Sequence, residues 1–166
     1  IAGSNIELNA GARGQYASYD QSFAGSISGS GRWSRIALDT AFSVRRFGDL
    51  SGGIAAGTQL LTGYNEGGLY LGAGADLGRG TVVLVYQGVR QYDGQHRQKS
   101  QPGDLYSISE LQRDLVYLRY DNSIETASRT VDVSATVSYN RQGEQTSHQL
   151  IALDRLERHL NRVDVL

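Results

Sequence analysis

The chain has no cysteine, no methionine at its start or anywhere else, and a single proline. It also has no apolar run approaching the roughly 20 residues of a spanning helix. Without cysteine there is no disulfide framework, no thiolate metal site and no Cys nucleophile. Acidic and basic residues nearly cancel, 17 against 16, and no charge run stands out. A nucleic-acid partner is therefore not expected. Mean hydropathy is negative, at -0.38. That does not exclude a membrane, because a barrel strand shows lipid only half of its residues and averages like a soluble one.

What the chain does have is glycine, tyrosine and strict alternation. Leu69 to Asp93 reads LYLGAGADLGRGTVVLVYQGVRQYD. Leu69, Leu71, Ala73, Ala75 and Leu77 alternate with Tyr70, Gly72, Gly74 and Asp76, and Gly78-Arg79-Gly80 then interrupts before a second extended run begins at Thr81. A period of two puts alternate side chains on one face of a strand, and a short Gly-rich break fits a hairpin turn. These strands reach about a dozen residues, beyond the usual 5–6 of soluble sheets, and a tilted strand of roughly 9–11 crosses a bilayer.

The same plan recurs along the chain. Asn5 to Tyr19 reads as the first strand, Phe23 to Gly31 as its return after a turn at Asp20-Gln21, and Ile36 to Val44 as the third after Arg32-Trp33-Ser34-Arg35. Phe47 to Gly63 reads as a longer Gly-rich connection, and the Leu69–Asp93 hairpin supplies strands four and five. Asp93 to Gly103, polar and holding Pro102, reads as loop. Ser107 to Arg113 admits a helical turn. Leu115 to Asp121 is the sixth strand, Asn122 to Ser128 a turn, and Thr130 to Arg141 the seventh strand, with Val131, Val133, Ala135, Val137 and Tyr139 on one parity. Gly143 to Asp154 reads as loop and Arg155 to Leu166 as an eighth strand. Leu153 to Asn161 also admits a short amphipathic helix.

Short connections near residues 34, 79 and 125 oppose long ones near 55, 103 and 148, with the turn at 20 as the exception. Short turns at one rim and long loops at the other match a transmembrane barrel. Tyr16, Phe42, Tyr86 and Tyr139 lie on the apolar parity toward the long-loop end, and Trp33 lies at a short turn. These five are expected to be membrane-interface aromatics, since such rings combine an apolar body with a wet tip. Ordinary strand-enriched tyrosine is the bland alternative. Arg13, Asp39, Arg45 and Asp132 lie on the polar parity and are expected to face a lumen or a domain filling it. The fifth strand is ambiguous, because Val82, Leu84 and Tyr86 compete with Val83 and Val85.

Six stretches occur in an order that resembles TonB-dependent outer-membrane receptors. They are VRRFGDLSGG from Val44, TGYNE from Thr62, VYQGVRQYDGQHR from Val85, QRDLVYLRYD from Gln112, VSYNRQGEQ from Val137 and LDRLERHLNRVDVL from Leu153. The resemblance implies the early part of a barrel of roughly 22 strands whose lumen is plugged. It implies uptake of a scarce ligand (an iron–siderophore, haem, cobalamin or a glycan) driven through TonB. On this reading residues 1–166 are a fragment of one transmembrane barrel domain, about eight antiparallel up-and-down strands, without the plug, the TonB box or the terminal aromatic of a complete barrel. The expected surroundings are outer-membrane lipid of a Gram-negative cell, the plug and remaining strands, TonB through the plug, and a small-molecule ligand.

No catalytic constellation accompanies this pattern, so no enzyme is expected, and no cofactor. His96, His148 and His159 lack metal-ligand spacing. Arg90, Gln91, Tyr92, His96 and Arg97 form the expected ligand-contacting cluster in an extracellular loop, because loops on a rigid scaffold carry function. Two other classes stay open: a self-contained small structural or adhesive outer-membrane barrel, and a soluble β-sandwich binding module.

Overall fold

The computed structural model describes residues 6–51, 57–59, 62–98, 105–126, 129–150 and 155–165. All of their regular structure is β. The strands are β1 (Ile6–Ala17), β2 (Ser22–Trp33), β3 (Ile36–Phe47), β4 (Leu50–Ser51), β5 (Thr58–Gln59), β6 (Tyr64–Asp76), β7 (Thr81–Gln98), β8 (Leu105–Thr126), β9 (Arg129–Leu150) and β10 (Arg155–Val165). Eight of them form one sheet in the order β1-β2-β3-β6-β7-β8-β9-β10, while β4 and β5 make a separate two-stranded ladder. Every neighbouring pair is antiparallel. The sheet is thus an up-and-down meander, open among the described residues, with β1 and β10 as its edges.

Local chemistry explains the turns. Ser34 and Arg35 alone join β2 to β3, and Ser34 takes a positive φ of 53°. Asp76 closes the next hairpin at the same rim: its Oδ1 accepts from the Gly78 amide at 2.7 Å, and the Leu77 amide donates to the Gly80 carbonyl at 2.8 Å. Gly78 sits at φ 79°, where a side chain would be strained. At the opposite rim Asp20 folds the β1–β2 turn, accepting from the Ser22 amide at 3.1 Å. Asp49 Oδ1 gathers the amides of Thr62 and Gly63 at 3.0 and 3.2 Å, which draws both ends of the β3–β6 connection together. Phe47 and Tyr64 stack at 4.5 Å across its base.

The structure redraws several boundaries. The helical turn expected over Ser107 to Arg113 is strand, part of β8. The loop read from Asp93 to Gly103 is β7 as far as Gln98. The turn read over Asn122 to Ser128 is strand through Thr126. The loop read from Gly143 is β9 through Leu150, and residues 155–161 are strand rather than helix. The common cause is pairing: polar sequence with weak intrinsic preference becomes strand once a neighbouring strand supplies a ladder for its amides. β8 and β9 pair continuously from Leu105↔Leu150 to Thr126↔Arg129. Over their described residues, two of the three expected long loops are therefore extensions of the strands themselves.

β7 is interrupted once. Gln91 pairs with Leu111, but the next pair is Gly94 with Ser109, so two residues of β7 oppose one of β8. Asp93 takes φ 57° there, and its carboxylate accepts from Asn65 Nδ2 at 3.0 Å. This bulge lies where β6 begins, at the height where β7 loses its neighbour on that side.

Register sorts the side chains into two faces. One carries Leu8, Ala10, Ala12, Ile27, Trp33, Ile36, Leu38, Phe42, Val44, Leu69, Leu71, Val82, Leu84, Tyr86, Val116, Leu118, Val133, Val137 and Tyr139. The other carries Glu7, Asn9, Arg13, Ser26, Ser28, Ser30, Asp39, Arg45, Glu66, Gln87, Asp121, Asp132, Ser134 and Thr136. The apolar face is uncovered: Leu8 is 77% exposed and Val137 75%. Among the described hydrophobic residues only Val85, on the polar face, is fully buried, at 2%.

Candidate functional site

All five expected interface aromatics, Tyr16, Trp33, Phe42, Tyr86 and Tyr139, share the apolar face, and all five are at least partly exposed. Tyr16 stands opposite Phe23, and Trp33 stands between Ile6 and Ile36. Rings on this face also lean along their own strands to cover glycines two residues on. A Cβ at Gly25 would meet the Phe23 ring at 3.2 Å, and one at Gly88 would meet Tyr86 Oη at 2.5 Å. The same device occurs once on the polar face, where Tyr70 leans over Gly72. Gly25 and Gly88 leave room for rings to lie over the sheet, whereas Gly14 and Gly67, also on the apolar face, stay uncovered.

Above the apolar belt the same face turns polar. Asp114 Oδ1 accepts from Tyr86 Oη and from an Arg90 terminal nitrogen, each at 2.8 Å, while its Oδ2 accepts from Gln112 Nε2 at 2.8 Å. The other terminal nitrogen of Arg90 donates to the carbonyls of Val89 and Arg113 at 3.0 and 3.2 Å. Asp114 is only 15% exposed on its side chain, and three donors satisfy it. The cluster ties β7 to β8 at the upper limit of the belt, and the tip of Tyr86 joins the two zones.

Arg13, Asp39, Arg45 and Asp132 share the opposite, polar face. They do not pair with one another. Arg45 bonds Glu66 directly across the β3–β6 ladder at 3.0 Å, and Asp132 accepts from Ser123 across the β8–β9 ladder. Serines 26, 28 and 30 of β2 separate Arg13 from Asp39. The polar face is therefore lined with charge-paired and hydroxyl groups rather than with one continuous ion ladder.

The fifth-strand ambiguity resolves by register. Val82, Leu84 and Tyr86 join the apolar face; Val83 and Val85 join the polar one. Tyr117 stands opposite Val85, while Arg119 faces Val83 and Gln87 faces Leu115, so Val83, Val85, Leu115 and Tyr117 make a small apolar island bordered by polar groups. Val85 is buried while its neighbour Leu84 is 47% exposed.

The expected ligand cluster is not a loop and is not one surface. Arg90, Gln91 and Tyr92 are in β7, where Arg90 and Tyr92 take the apolar parity and Gln91 the polar one. His96 and Arg97 lie beyond the bulge, opposite Ser107 and Tyr106, and their side chains lie outside the described residues. On the polar face Gln91 keeps different company: Val89, Leu111, Arg113, Gln142 and Glu144 line a recess of about 420 Å³ with it. Sequence reasoning missed Arg113, Gln142 and Glu144. Continuing the period of two from Leu115 back through Arg113 and Leu111, and from Asn140 on through Gln142 and Glu144, was the signal available for them.

Asp20, in the turn at the same rim, is held below the usual carboxylate range. Its burial pushes the other way, but the Ser22 side chain and the amides that donate to it outweigh that. Among the described residues no group of three or more His, Asp or Glu side chains is placed to hold a metal ion. No helix is long and apolar enough to cross a membrane, which says nothing of strands. No family model matches the chain, and neither a curated protein nor a solved structure matches it.

Proposed function

We propose that this chain is the early part of the barrel of a TonB-dependent outer-membrane receptor, one that imports a scarce ligand such as an iron–siderophore, haem, cobalamin or a glycan. The observation that carries the reading is the uncovered apolar face. Eight up-and-down strands, most of them 12 residues or longer, expose Leu, Ile, Val and aromatic side chains that no second layer covers among the described residues. Apolar surface left in water forgoes roughly 25 cal/mol per Å², and contiguous patches beyond a few hundred Å² mark interaction or membrane surfaces. Hydrocarbon is the solvent that suits such a face. A strand of 12 residues at about 3.3 Å each, tilted about 45°, covers the thickness of a bilayer core.

The polar face then lines the interior, and the apolar island of Val83, Val85, Leu115 and Tyr117 is where a plug domain of the same protein packs. Ligand enters from the rim where β7, β8 and β9 rise, past the recess of Gln91, Arg113, Gln142 and Glu144. Energy reaches the barrel from TonB through the plug. The protein is a receptor and transporter of the Gram-negative outer membrane, not a catalyst. The two competing classes fit less well. A sandwich would bury the apolar face against a second sheet, and a self-contained eight-stranded barrel would join β1 to β10, which instead form the two edges.

Absence of native cysteine makes the test direct. Single cysteines at Leu38, Leu71 and Val137 should resist a water-soluble maleimide in proteoliposomes, while cysteines at Ser30, Asp39 and Thr136 should react. Equal labelling of both sets rejects the membrane reading. A binding screen of the intact protein against iron chelates, haem, cobalamin and glycans tests the receptor reading, and failure across all four classes would reject it.

A further inference from the structure

A groove of about 620 Å³ crosses the apolar face where β3, β6 and β7 run side by side. Missing side chains set its floor. Gly67 pairs with Val44 on one side and Arg90 on the other, and a Cβ placed there would meet nothing within 4 Å. Phe42 and Leu69, directly paired, form the wall toward the apolar belt; Arg46 and Asn65, also paired, form the wall toward the upper rim, with Tyr92 next in the row. The groove is therefore apolar on one side and hydrogen-bonding on the other, in the order in which a bilayer changes from chain to headgroup.

Its charges are also asymmetric. Arg90 is neutralised by Asp114 and anchored to two carbonyls. Asp93, at the rim but not lining the groove, accepts from Asn65. Arg46 is exposed and forms no ion pair with a described residue. A guanidinium offers a fork of donors matched to phosphate oxygens, and basic pockets at membrane surfaces take lipid head groups.

We propose that this groove binds a phosphate-bearing lipid of the surrounding leaflet, with an acyl chain along Phe42 and Leu69 and the phosphate on Arg46. The proposal rests on the membrane reading above. Free phosphate would leave the Phe42–Leu69 wall without a purpose, and a neutral lipid would leave Arg46 unanswered.

The test uses the full chain folded in a neutral detergent and read by native mass spectrometry and thermal melting. Three probes are compared: a diacyl phosphate lipid, the diacylglycerol with the same chains, and inorganic phosphate. The wild type should retain one phosphate lipid with at least a tenfold preference over diacylglycerol and should melt higher in its presence. Arg46→Gln should lose about tenfold of that preference, Gly67→Leu should lose retention, and Arg13→Gln on the other face should change nothing. Equal retention of the two lipids, full retention by Arg46→Gln, or equal competition by inorganic phosphate each overturns the proposal. Arg46 is exposed, so its variant remains informative even where Gly67→Leu fails to fold. A chain that stays monomeric without detergent defeats the membrane reading first; one that needs detergent but ignores the phosphate defeats only the groove.

Discussion

At the scale of single residues, close approaches decide more than side-chain volume does. Gly48, just past β3, lies against the carbonyl of Asp20, and a Cβ there would overlap that oxygen. Backbone cannot yield as the tip of a side chain can. Gly48→Ala should therefore cost about 1–3 kcal/mol, read as a lower urea midpoint with an unchanged slope. Gly88 is the contrasting case, since what meets its missing Cβ is the mobile end of Tyr86. Gly88→Ala should displace that ring and break its bond to Asp114 at a cost near that of Tyr86→Phe, about 1 kcal/mol. Adding Gly88→Ala to Tyr86→Phe should cost little more, and a double-mutant cycle measures this coupling.

Asp20 gives the residue scale a pH dependence. Its pKa in the folded chain lies below its value in the unfolded one, so the unfolded state binds the proton more readily. The stabilisation is fully present above the unfolded value of about 3.9. It fades as pH falls through the lower folded value. Asp20→Asn should therefore be less stable than wild type at neutral pH, with the gap closing only in strong acid. Paired urea titrations across that range should display the closing gap, whereas a constant gap would place the stabilisation elsewhere.

At the scale of an element, β9 is the clearest case. Val131, Ala135, Val137 and Tyr139 pair with Ile124, Tyr120, Leu118 and Val116 of β8 and Val133 with Asn122, while Asp132, Ser134, Thr136 and Ser138 take the other face. Arginine at Val137 should cost about 2–4 kcal/mol of folding into bilayers if that position lies near the midplane, and arginine at Thr136 close to nothing. The two substitutions are adjacent and chemically identical, so the difference isolates the face. Equal costs would mean that both faces meet the same medium.

At the scale of the whole molecule, the sheet has two faces and, among the described residues, no sandwiched core. Cooperative folding should then depend on an apolar phase: circular dichroism should report native strand content in detergent or bilayers, and aggregation or its loss in plain buffer. Full strand content and a monomeric mass without detergent would place the apolar face against protein instead. The same architecture explains how much of the candidate site was readable in advance. Arg13, Asp39, Arg45 and Asp132 could be assigned to one face from residue parity alone, and so could the five aromatics. The supposed loop cluster around Arg90 could not be judged that way. Its composition looks like a loop, and only the ladder with β8 makes it a strand that divides Arg90 from Gln91.

Alternation is written in covalent geometry. Successive side chains of an extended chain point to opposite sides wherever the chain lies, so the residues alone determined the two faces, the all-β class and the hairpin turns at Ser34 and Gly78. Tertiary structure decided where strands stop. Pairing with a neighbour carried β8 and β9 through polar sequence out to Leu105 and Leu150, placed the bulge between Gln91 and Gly94, and left β1 and β10 as edges. Those outcomes depend on which amide finds which carbonyl across a ladder, and that partnership lies far away in the chain.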